Sequence, residues 1–142
     1  MSSTEAQAAP TAAPKAPPKS GLVAYLAIDG AIAAAKFYEK AFGAEIAALH
    51  PPDDQGRTMH VHLYINGSSL MLADFYPEHG QPKVPHQGFS LALMVNDIDK
   101  WFQRAVDAGC TATMAPQKMF WGDTYAQLKD PHGIDWALNQ GE

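Results

Sequence analysis

Apolar residues recur along this chain with two periods, and the switches between them mark its elements. Leu22 to Ile28 is a short β-like run. Asp29 can then N-cap a helix from Ala31 to Phe42, with Gly43 as its C-terminal stop. Ala44 to Leu49 reads as a strand and Pro51 to Gly56 as a loop. Thr58 to Ile65 and Ser68 to Phe75 alternate with a period of two, and the Asn66-Gly67 between them is a strong hairpin signal. Tyr76 to Gly88, rich in proline and glycine, reads as a linker.

After the linker the order recurs. Phe89 to Val95 is strand-like, and Asn96 or Asp97 can cap a helix. Ile98, Trp101, Phe102, Ala105 and Val106 make one apolar face of that helix, and Gly109 ends it. Cys110 to Ala115 is a strand. Thr124 to Lys129 and Ile134 to Leu138 form a second hairpin across Asp130-Pro131-His132-Gly133. The halves are offset by about 66 positions and each reads βαβββ, which predicts an α+β domain built from a duplicated module.

Strand alternation then divides the side chains between two faces. Leu26, Ile28, Val61, Leu63, Ile65, Leu70, Leu72, Leu91, Leu93, Val95, Leu128, Trp136 and Leu138 form the apolar phase, expected to pack on the helices. The other phase holds Val23, Tyr25, Ala27, His60, His62, Tyr64, Met71, Ala73, Ser90, Ala92, Met94, Tyr125, Gln127, Asp135 and Ala137. Its mixture of polar, aromatic and methionine side chains suits a small-molecule pocket.

Composition changes the picture in three places. The first twenty residues are mostly Ala, Pro, Ser, Thr and Lys with no large apolar side chain after Met1, so residues 1–20 are expected to be a disordered tail and 21–142 the domain. That tail lacks the apolar stretch of a secretory signal and the arginines of a transit peptide. A net charge of −5 with ten basic residues argues against nucleic acid, and no apolar run reaches transmembrane length. The lone Cys110 fits a buried structural thiol in a reducing cytoplasm. His50, His79, His86 and His132 lie in loops or turns and are expected to be solvated.

Four segments, AAKFYEKAFGAE (34–45), TMHVHLYINGSSLMLAD (58–74), ALMVNDIDKWFQRAVDAGC (92–110) and FWGDTYAQLKDPHGIDWAL (120–138), carry a family resemblance. The chain resembles the vicinal oxygen chelate superfamily of glyoxalases, extradiol dioxygenases and bleomycin-resistance proteins. The branch it is most similar to is labelled PhnB-like or 3-demethylubiquinone methyltransferase-like. The resemblance implies two βαβββ modules, about 21–80 and 86–142, forming a cupped mixed sheet covered by helices. It also implies a homodimer.

Enzymes of that superfamily hold one divalent ion through His, Gln or Glu at four strand positions. By resemblance those positions fall here on Val23, Met71, Ser90 and Ala137. Val, Met and Ala offer no useful ligand to Mg²⁺, Mn²⁺ or Zn²⁺, and a lone Ser is a poor one. His60 and His62, two apart on one strand face, could approach a common ion if Asp74 or Asp135 completed the set. Relatives often carry a Glu where His62 stands. The Trp121-Gly122-Asp123 segment resembles a family motif at the rim of the cup, so Trp121 could shelter a ligand.

Two functions follow as expectations. One is a cofactor-free protein that binds a small organic molecule, with Tyr25, His60, His62, Tyr64, Met71, Ser90, Met94, Trp121, Tyr125 and Gln127 lining the site and no catalytic residue assigned. The alternative is a metal-dependent lyase, isomerase or dioxygenase using a rearranged site at His60 and His62. A methyltransferase is disfavoured, because no glycine-rich strand–loop–helix with a ribose-binding acid occurs.

Overall fold

The computed structural model describes residues 16–142. The elements are β1 (Ala24–Ala27), α1 (Ala31–Phe42), β2 (Glu45–Leu49), β3 (Val61–Ile65) and β4 (Ser68–Ala73), then β5 (Leu91–Met94), α2 (Ile98–Ala108), β6 (Thr111–Lys118), β7 (Thr124–Lys129) and β8 (Asp135–Gln140). They build two four-stranded mixed sheets, ordered β1-β4-β3-β2 and β5-β8-β7-β6, with the first strand of each parallel to the last. This is the expected pair of βαβββ modules, and the sheets do not close on each other.

The helices lie against the apolar phase of the strands. On α1, Ala31, Ala34, Ala35, Tyr38, Ala41 and Phe42 are buried, and the four alanines let the helix sit close to its sheet. Val61, Leu63, Leu72, Leu128 and Leu138 are fully covered from the other side. Tyr38 and Phe42 also reach the second module, where their rings meet Trp136 at centroid distances of 5.1 and 4.5 Å. Thus α1 serves both sheets and joins the modules through one core. Arg104 of α2 adds a polar tie by donating to the carbonyls of Lys40 (3.0 Å) and Glu39 (3.4 Å) at the end of α1. Gly43 is required beside it: its φ is +68°, and a Cβ there would meet the Arg104 guanidinium at 3.0 Å.

Three expectations need correction. Asp29 does not cap α1. The helix starts from Gly30, and the amides of Gly30 and Ala31 donate to Asp74 Oδ1 at 2.8 and 3.2 Å, while Asp29 faces solvent and pairs with Lys83. A buried carboxylate from a distant strand end outcompetes the local one because it satisfies three amides at once, including that of Thr58. The second module uses the same place in its plan: Gln140, at the end of β8, accepts from Ile98 N at 2.9 Å, alongside the expected Asp97 cap. The tail boundary also moves, since the chain is already held against β4 before residue 20, as described below; residues 1–15 lie outside the described residues. Finally, His86 and His132 are half-buried against the rings of Phe75 and Phe37.

The loop that leads into β3 is latched to the 3-10 turn Pro77–His79 of the linker. Arg57 bonds Asp53 at 3.1 Å and Glu78 at 2.6 and 3.0 Å, and its guanidinium lies over the Tyr76 ring. Hydrogen bonding from Arg57 holds the Glu78 carboxyl down at about 2. A depressed carboxyl stabilises the fold above its unfolded value, and that contribution fades as pH falls through the folded one. Glu78→Gln should therefore lower the urea midpoint at pH 6 and leave it unchanged near pH 2. An equal difference at both pH values would show that the latch contributes nothing through charge.

Candidate functional site

The concave phase of the first sheet is an aromatic and imidazole surface. Register sets Tyr25, Met71 and His62 side by side across β1, β4 and β3. Around that row the rings follow one another: Tyr25 to His60 at 5.7 Å, His60 to His62 at 6.5 Å, and His62 to Tyr64 at 4.9 Å. Alternation along β3 and the residue before it places His60, His62 and Tyr64 on this face, while Val61, Leu63 and Ile65 enter the core.

Each histidine is committed to its own partner. His60 Nδ1 lies 2.9 Å from Tyr25 Oη, which also reaches the Met59 carbonyl at 3.0 Å. His62, buried to 2% exposure, places Nε2 at 2.7 Å from Ser69 Oγ. Burial lowers the pKa of both, with His50 and His60 respectively adding like-charge repulsion. Both rings therefore favour the neutral form, in which each offers one donor and one acceptor.

The carboxylates that could complete a rearranged metal site are elsewhere. Asp74 points to the helix side, with its oxygens engaged by the amides of Gly30, Ala31 and Thr58. Asp135 pairs with Lys129 at 2.8 Å on the second sheet. Among the described residues no three His, Cys, Asp or Glu side chains converge to hold an ion. At the four strand positions Val23 and Met71 are half-buried, Ser90 is exposed, and Ala137 is buried at the centre of its sheet. These residues do not fit a divalent ion.

The second sheet presents a different surface. Trp121 is about half exposed and lies 5.8 Å from the Tyr125 ring; fully exposed Phe120 stands edge-on to it at 4.9 Å. Gln127 Nε2 donates to Tyr125 Oη at 3.3 Å, and Asn139 donates to Asp123 at 2.9 Å. That last bond ties the Trp-Gly-Asp loop to β8 and so fixes where Trp121 stands. Met94 is exposed at the edge on β5.

Between the edge strands β1 and β5 lies a cleft of about 490 Å³, lined by Leu22, Ala24, Asn66, Ser68, Ser69, Ser90, Met94 and Trp136 among others. Its volume is in the range of small-molecule sites. Asn66 closes one side by donating to the Met94 carbonyl at 2.8 Å. The ten predicted site residues are thus divided. Tyr25, His60, His62, Tyr64 and Met71 cluster on one sheet, Trp121, Tyr125 and Gln127 on the other, and Ser90 and Met94 line the cleft. Ser69, Asn66 and Asn139 were missed. Ser69 falls in the same strand phase as Met71, and that signal could have found it.

This fold and these two faces define a glyoxalase-like cup protein. The chain belongs to the Glyoxalase/Bleomycin resistance protein/Dioxygenase superfamily, whose family model matches residues 22–138. An uncharacterized protein of Mycobacterium tuberculosis is 38% identical over 123 residues, covering 82% of this chain and 71% of its own length. Protein PA1353 from Pseudomonas aeruginosa has a similar structure, with TM-score 0.70 and 25% identity over 84% of this chain and 96% of that one. The PhnB protein from Bacillus cereus superposes with TM-score 0.65 and 21% identity, covering 86% of this chain and all of its own, a likeness of fold. No helix among the described residues is long and apolar enough to cross a membrane.

Proposed function

We propose that this protein binds a small organic molecule of aromatic or amphipathic character in its cup, without a resident metal and without chemical turnover. One observation carries the reading. The concave faces present two series of rings, Tyr25 to Tyr64 on one sheet and Trp121 with Tyr125 on the other, where the positions used for metal in relatives hold Val23, Met71, Ser90 and Ala137. Neutral His60 and His62 then act as hydrogen-bond groups that orient a polar substituent, and the rings supply flat apolar contact. A homodimer is part of the proposal, because the exposed rings of one sheet would be covered by facing the other sheet of a second copy.

Mass spectrometry of small molecules released from the native protein, with metal analysis of the same sample, tests this. The expected result is a bound organic compound that quenches tryptophan fluorescence, with most of the quenching lost in Trp121→Phe, since Trp136 is buried and Trp101 half-buried. Stoichiometric divalent metal that disappears in His60→Ala/His62→Ala would overturn the reading in favour of a metal-dependent enzyme.

A further inference from the structure

The segment before β1 is bound to the concave face as a peptide would be. The Pro17 carbonyl accepts from Tyr64 Oη at 2.7 Å, and the Lys19 ammonium lies 4.0 Å above the Tyr64 ring. The Lys19 amide donates to Ser69 Oγ at 2.7 Å, while its carbonyl accepts from Ser69 N at 3.0 Å. Ser20 Oγ meets Ser68 Oγ at 3.2 Å. Ser69 needs that outside acceptor. The pairing of β1 with β4 begins only at Leu70, so nothing in the sheet takes the Ser69 amide on that side.

Two further features show that the contact is specific. Ser20 has φ +87°, a left-handed backbone that a non-glycine residue holds only where its surroundings enforce it. Pro17 and Pro18 restrict the approaching chain to extended forms, which lowers the entropy lost when it docks. The docked residues also engage Ser69, the same hydroxyl that pairs with buried His62.

We propose that residues 17–20 are a built-in occupant of this face, a strap that a ligand must displace to reach His62 and Tyr64. The groups it engages name the chemistry of its competitor: an amide-bearing organic molecule with a cationic end, matching Ser69 through donor and acceptor and the Tyr64 ring through charge. This rests on the concave face being the ligand site.

The test compares the full chain with its Pro17→Gly/Pro18→Gly/Lys19→Gly variant. Amide-resolved hydrogen exchange should show the Ser69 amide exchanging at least tenfold faster in the variant, with α2 amides unchanged. A synthetic peptide of residues 16–21 should restore much of the protection. An unchanged Ser69 rate overturns the strap. Titration with procainamide, an aromatic amide with a cationic amine, should then show at least fivefold tighter binding to the variant. Equal titrations, including none in either chain, overturn the competition. Ligand release and Trp121 quenching read the cup independently, so a failed strap and a failed cup give different results.

Discussion

Asp130→Ala should destabilise the protein by about 4 kcal/mol, the largest loss expected from any single side chain outside the apolar core. Asp130 opens the β7–β8 turn but is not a solvated turn residue, since only 4% of it is exposed. One oxygen accepts from Tyr38 Oη at 2.5 Å and Trp136 Nε1 at 2.9 Å; the other accepts from the amides of His132 and Ile134 at 2.8 and 3.0 Å. Removing the carboxylate leaves four donors unpaired, most of them away from water, at about 1–3 kcal/mol for each that stays dry. The same step loosens Tyr38 and Trp136, the contact through which α1 holds the second module. A fall in melting temperature of about 12–16 °C is expected by calorimetry. Asp130→Asn keeps one acceptor and should lose about half as much. A melting point for the alanine variant within 3 °C of the parent would mean that water replaces the carboxylate and the network is not structural.

Asp74→Ala should cost about 3 kcal/mol by urea denaturation. Its carboxylate, also 4% exposed, caps α1 through Gly30 and Ala31 and holds the Thr58 amide at 2.8 Å. Thr58 in turn donates to the His50 carbonyl at 2.6 Å, so the lead-in to His60 depends on the same group. Gln140→Ala removes the matching but single contact in the second module and should cost about 1 kcal/mol. The ratio is the informative measurement. Equal losses would show that helix capping accounts for the whole effect and that the bond to Thr58 adds nothing.

Much of the site was legible because a strand has a period of two. Once Val61, Leu63 and Ile65 were assigned to the core, His60, His62 and Tyr64 had to share the opposite face, and the rings do follow one another there. The same rule placed Met71 and Tyr125. What alternation cannot give is partnership across sequence distance. Ser69 meets His62 through the β3–β4 register, and the Asp123–Asn139 bond that steadies the Trp121 loop spans a hairpin. The assignment of Asp29 as a cap failed for the same reason: the carboxylate that takes the Gly30 amide is that of Asp74, 44 residues beyond Gly30.

The sequence by itself determined the duplicated βαβββ modules, the helix bounds near Gly43 and Gly109, and the face each strand residue takes. Periodicity, glycine stops and side-chain chemistry are local properties, so each can be read from a few neighbouring residues. Only the tertiary structure decided where buried polar groups find partners: Asp74 at the start of α1, Asp130 beneath Tyr38 and Trp136, and Lys19 beside Ser69. Those choices are set by which donors are left unpaired once the sheets have formed, and that is known only when the whole chain is in place.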